Sequence, residues 1–171
     1  MKQLLFCLSI FFITSASVSA QKIVYVDTEY ILENMTEYSE AQLKLDEFTS
    51  TWNDEIKETE LALIDRKAAF KQNELLMPEV RKIEEQEAIQ NGENELLVLK
   101  RKRFGTKGDL YKKQQDLIKP IQDKVYSAIK QMSEYRDYDM VLDKSTGVSI
   151  LFVKPKLDVS DEVLRIINSK N

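Results

Sequence analysis

The hydrophobic pattern divides the chain into a short apolar strand, two long amphipathic stretches and a second β-rich segment. Residues 22–27 (KIVYVD) place Ile23, Val24, Tyr25 and Val26 in succession. An unbroken run of β-branched and aromatic side chains predicts a strand buried on both faces. Residues 28–34 follow as a helical turn, with Tyr30, Ile31 and Leu32 covering that strand. From residue 36 to residue 76 the period changes. Tyr38, Ala41, Leu45, Phe48, Trp52, Ile56, Leu63 and Phe70 recur at steps of three, four or seven, the spacing of one helical face. Thr36 is the expected N-cap, and neither Pro nor Gly interrupts the stretch. Such a helix is on the order of 60 Å long, too long for a chain of this size to bury on all sides, so it must project.

Met77-Pro78 breaks the pattern. Pro78 forces Met77 into extended geometry and then suits the first position of a new helix. The second helix is predicted over residues 78–134, antiparallel to the first, with the tip of the hairpin at residues 75–78. Leu97, Phe104, Tyr111 and Ile118 repeat every seven residues as its expected seam. Gly92, Gly105 and Gly108 weaken it by roughly 1 kcal/mol each relative to Ala, and Pro120 is an expected kink. The helix should therefore be firm at its base and compliant towards its tip.

Residues 138–143 (YDMVLD) and 148–153 (VSILFV) then read as two strands of a β-hairpin around the turn 144–147, and Asp158 is expected to cap a terminal helix over residues 159–168. The fold class is α+β: a small β-rich body with a long helical hairpin inserted between its first strand and the other two. Residues 21–35 and 119–171 make the body and 36–118 the hairpin. Three short strands and one short helix bury too little for a firm core alone, so the body is expected to be completed by oligomerisation. Ile23, Tyr25, Val141, Ile150 and Phe152 are the candidate assembly residues.

Residues 1–20 carry a secretory signal pattern: Lys2, an apolar run over residues 4–13, then small polar residues. Val18-Ser19-Ala20 is the expected cleavage motif, with the mature chain starting at Gln21. The apolar run is too short to span a bilayer comfortably, which disfavours an uncleaved anchor. The single cysteine, Cys7, lies inside this segment and histidine is absent. The mature chain thus lacks the commonest general base, the thiol nucleophile and the ligands of soft-metal sites, so no enzyme activity, metal or cofactor is expected. The charge of −4 argues against nucleic acid as a partner.

Charge is nevertheless local. Arg66, Lys67, Lys71, Arg81 and Lys82 cluster near the tip, and Lys100, Arg101, Lys102 and Arg103 form a block on the second helix, with Arg101 roughly opposite Glu55. These cations either pair with Asp54, Glu55, Glu58 and Glu60 across the hairpin or offer a patch to acidic clients or anionic lipid headgroups. Leu75, Leu76 and Met77 are apolar side chains at an exposed turn, suited to weak, adaptable contacts. Phe48, Trp52, Phe70, Phe104 and Tyr111 read mainly as the seam of the hairpin.

The motifs KIVYVDTEYIL, LLMPEV, YKKQQDLIKPIQDKVYSAIKQM, DYDMVLDKS and FVKPKLDVSDEVLRIIN, in this order, resemble the Skp/OmpH family of periplasmic chaperones across nearly the whole mature chain. The resemblance implies a homotrimer whose three helical tentacles surround a cavity. It implies ATP-independent holding of unfolded outer-membrane proteins in the periplasm. The chain departs from the basic character of the best-known member, being acidic overall. The rival expectations are a structural coiled-coil spacer of the cell envelope and a cytosolic jellyfish-shaped chaperone of the prefoldin type, against which the signal pattern counts.

Overall fold

The structure, a computed structural model, describes residues 21–147 and 150–169. The signal pattern and Ala20 lie outside the described residues, as do Val148 and Ser149. Strand β1 (Ile23–Val26) leads into helix α1 (Thr28–Glu33). Asp27 turns the chain between them: its carboxylate accepts the Tyr30 N–H at 3.0 Å, a side-chain cap that satisfies one of the free donors of a helix start.

Helix α2 (Thr36–Asn73) then runs for 38 residues, about 57 Å at 1.5 Å per residue. Met35, not Thr36, is its cap residue, and no side chain bonds the first turn. The 3₁₀ turn Glu74–Leu76 and an extended Met77 reverse the chain. Pro78 caps the returning helix α3 (Glu79–Phe104) from just outside it. The expected single return helix is in fact three, α3, α4 (Asp109–Leu117) and α5 (Lys119–Arg136). Gly105 and Gly108 bound one break, and Ile118, just before Pro120, marks the other. At Gly108 an added Cβ would meet the Lys102 and Arg103 carbonyl oxygens at 2.8 and 2.9 Å, so the backbone folds back on itself more tightly than any side chain allows.

Helix α5 ends at Asp137, held in the left-handed region (φ 58°), which lets the Tyr138 N–H reach the Ser133 carbonyl at 3.0 Å. Strand β2 (Met140–Asp143) follows and pairs with β1 in parallel, Val24 opposite Val141 and Val26 opposite Asp143. The expected β-hairpin is corrected here. Residues 150–153 form no strand, and β2 takes its partner from the far end of the chain. On the other edge of β1, the Val159 N–H donates to the Tyr25 carbonyl at 3.0 Å. A 3₁₀ turn (Pro155–Leu157) precedes helix α6 (Ser160–Asn168). Asp158 supports its start as expected, accepting from the Ser160 N–H and hydroxyl at 3.0 and 2.6 Å, although Val159 occupies the cap position. Asp161 accepts from the Tyr30 hydroxyl at 3.0 Å, tying α6 to α1.

The core lies in the base, where α1, α5 and α6 cover the sheet. Ile31 and Val163 are fully buried there, and Val26, Met132 and Ile167 nearly so. The core continues into the arm along α2 only as far as Ala41, Leu45, Trp52 and Ile56; α3 and α4 bury no side chain completely.

Candidate functional site

The arm has a packed lower half and a thin upper half. In the lower half, Phe48 stacks on Trp52 with ring centroids 5.6 Å apart, and Phe104 meets Trp52 edge-on at 6.3 Å. The Lys113 ammonium lies 4.7 Å from the Phe48 ring. Phe48 and Trp52 lie on the seam, as their spacing suggests, whereas Phe104, at its edge, and Tyr111 are exposed.

In the upper half, α3 turns the stripe Glu85, Ile89, Gly92, Leu96, Leu99 and Arg103 towards α2. The expected seam through Leu97 runs one residue out of phase, and Leu97 is exposed. Apolar residues are too sparse between 84 and 95 to fix the phase, and the stripe passes through Gly92. Its missing side chain makes room for Leu63, whose Cδ1 sits 3.1 Å from where a Cβ would be. The same rotation corrects the cation block. Arg101 points outward, and Arg103 takes the place opposite Glu55.

Most of the candidate cations are paired. Arg103 bonds both Glu55 oxygens at 2.9 and 3.2 Å and Asp109 at 2.7 Å. The Glu55 hydrogen bonds lead in raising its pKa, against the opposing effect of desolvation. Lys100 pairs with Glu60, Lys67 with Glu93 and Arg66 with Glu85 across the hairpin. Arg81 and Lys82 pair with Glu84 and Glu79 on their own helix. Among the described residues, Lys71, Arg101 and Lys102 make no ion pair. Arg101 and Lys102 join Lys107 and Lys112 around an open pocket of about 600 Å³ at the Gly105–Gly108 break.

The tip is the most exposed apolar part of the arm. Leu75 and Leu76 are 94% and 87% exposed. Leu76 and Met77 line a notch of about 320 Å³ with Asn73, Pro78, Arg81 and Glu85. Leu61, Ile64, Val80, Ile83 and Val98 are also exposed along the arm. They lie off the buried stripe, so the periodicity of that stripe does not reveal them.

The assembly candidates do not all share a surface. Ile23, Tyr25, Ile150 and Phe152 line one apolar groove of about 560 Å³ with Leu142 and Val153. Phe152 is 80% exposed and its neighbour Leu151 98%. Val141 packs instead against the core of its own chain, because successive residues of β2 face opposite sides of the sheet. Among the described residues no cluster of acidic side chains is arranged to hold a metal ion, and no helix is long and apolar enough to cross a membrane.

A family model described as outer membrane protein (OmpH-like) matches residues 22–167. The chain belongs to the OmpH-like family. No curated protein matches the sequence. A solved structure from Caulobacter crescentus CB15, provisionally described as an OmpH-like outer membrane chaperone, is similar at 12% identity and a TM-score of 0.71. The match covers 90% of this chain and 87% of that one. At that identity the likeness speaks for the fold: the OmpH-like arrangement of a long helical hairpin on a small strand-containing base.

Proposed function

We propose that this OmpH-like chain is an ATP-independent holding chaperone of the periplasm. It encloses unfolded outer-membrane proteins between helical arms and prevents their aggregation. The observation that carries the reading is the upper arm: a projecting helical pair with no fully buried side chain beyond Ile56 and with Leu75 and Leu76 exposed at its end. Unfolded chains expose apolar segments, and such a surface meets them with many weak contacts. Several arms engaging one client raise avidity through effective concentration without any single strong site.

The arms are brought together by a homotrimer built on the base. The apolar groove beside β1 and the exposed Leu151 and Phe152 form its contact surface, since apolar area of this kind calls for a partner. Residues 1–20 direct export and are removed between Ala20 and Gln21. Anionic lipid headgroups are a second class of ligand, supported by the cations around the Gly105–Gly108 break.

A structural spacer of the cell envelope is the second reading, favoured by the ion pairs that brace the hairpin from Arg103–Glu55 to Arg66–Glu85. Mature protein lacking residues 60–95, rejoined by a short turn, separates the two. The chaperone reading expects an oligomer by light scattering that no longer suppresses aggregation of a denatured outer-membrane β-barrel. Full-length protein that fails to suppress that aggregation at several-fold excess leaves only the spacer.

A further inference from the structure

The Gly105–Gly108 break is spanned by one side chain. The helical ladder ends where the Gly105 N–H donates to the Arg101 carbonyl at 2.9 Å; the Gly108 N–H then donates to the Gly105 carbonyl at 2.8 Å, and the ladder resumes where the Lys112 N–H donates to the Gly108 carbonyl at 3.1 Å. Arg103 sits in the last turn of α3, two residues before Gly105. One guanidinium nitrogen crosses it to Asp109 at the start of α4 (2.7 Å), and two others grip Glu55 on α2. The guanidinium carbon lies 5.2 Å from the centroid of Trp52, which Phe104 flanks. Trp52 and Ile56 are the last buried residues of α2 on the way to the tip. Three helices therefore meet at one cation, at the level where the packed arm gives way to the thin one.

We propose that Arg103 is the latch of a hinge. With the fork closed on Glu55 and Asp109, the upper arm is held in line with the lower; with it open, the upper arm pivots about residues 105–108. Such a motion does not depend on what the arm holds. A helical pair bound only by surface ion pairs and half-buried side chains has little else to fix its angle, because exposed pairs contribute little. Charge-assisted bonds from a planar, two-sided fork supply that restraint, and Lys, a point charge, cannot make both sets at once.

The test is amide hydrogen exchange on the full mature chain, comparing native protein with Arg103→Lys and Asp109→Asn. Asp109→Asn keeps the side-chain shape and leaves the Arg103–Glu55 pair intact, so it serves if Arg103→Lys folds poorly. The expected result is exchange about tenfold faster over residues 104–112 in both variants, the scale of losing a charged hydrogen bond. Residues 121–136 should exchange at their native rate, and the emission of Trp52, the only tryptophan in the chain, should shift. Unchanged exchange over 104–112 overturns the latch. An equal rise over 104–112 and 121–136 overturns it too, since Arg103 would then stabilise the whole chain and not the break.

Discussion

The tip leucines give the sharpest separation of function from stability. Leu75 and Leu76 are 94% and 87% exposed, so Leu75→Ser with Leu76→Ser removes almost no contact from the folded chain. Surface substitutions of this kind change stability by about 0.5 kcal/mol or less. A client that covered both leucines completely would gain roughly 1.5–3 kcal/mol from each. A mobile client covers about half of that area at any moment, so about 1 kcal/mol per leucine is the working figure. The pair then contributes about 2 kcal/mol, and its loss weakens binding roughly thirtyfold per arm. The assay is a fluorescence titration of a denatured outer-membrane β-barrel in low urea, run beside thermal unfolding of the chaperone alone. Leu43→Ser, an equally conservative change at a 67% exposed position low on α2, is the control and should bind normally. A double variant that binds within about threefold of native, with native stability, refutes the tip as a contact surface. Equal weakening by Leu43→Ser shows that contact is spread over the arm and not concentrated at its end.

Three further outcomes test the fold beneath it. Ile31→Ala opens a cavity under a fully buried side chain and should cost about 2–5 kcal/mol, read as a lower urea midpoint. Gly108→Ala forces a Cβ against two backbone carbonyls and should cost about 1–3 kcal/mol, chiefly as faster proteolysis at Lys107. The third concerns acid. Burial pushes the Asp143 carboxyl up, but hydrogen bonds from Thr28 and Ser145 outweigh it and leave it below the ordinary range; the Lys144 ammonium and then the Tyr30 N–H hold Asp27 low as well. Depressed carboxylates stabilise the fold above their unfolded pKa of about 4 and lose that contribution as pH falls through the lower folded values. The urea midpoint should therefore fall below about pH 4, and Asp143→Asn should flatten that slope.

Much of this architecture is legible in the residues. The absence of Pro and Gly from 36 to 76 announces α2, and Met77-Pro78 announces its end, because both effects are local and steric. The glycines at 105 and 108 mark a weak point, but propensity alone does not say that the helix breaks there. The break, and the Arg103 fork that crosses it to Asp109 and Glu55, belong to the tertiary structure. Strand direction was likewise hidden: a short apolar run pairs as well in parallel as in antiparallel, so the turn at 144–147 suggested a hairpin. The pairing of β1 with β2 depends instead on where the arm returns the chain. Cross-hairpin ion pairing is legible in kind, because acidic residues 54–60 face the basic block 100–103 across the hairpin, and Lys100 pairs with Glu60. Which cation faces inward depended on the rotation of α3, and the polar stretch 84–95 left that open. The exposed Leu61, Ile64, Val80, Ile83 and Val98 carry no periodic signal, since what makes them notable is that they lack a partner.

The parallel pairing of β1 with β2 joins residues 117 positions apart, Ile23 with Met140. Closing a flexible loop of that length is slow and entropically costly, whereas each turn of a helix forms from its neighbours. The arm therefore shapes the order of events as the chain folds. Once α2 and its return helices zip together, their roots bring the two strand segments within reach, and the long loop is already closed. The first strand, though made first, waits for nearly the last residues before it gains its partners.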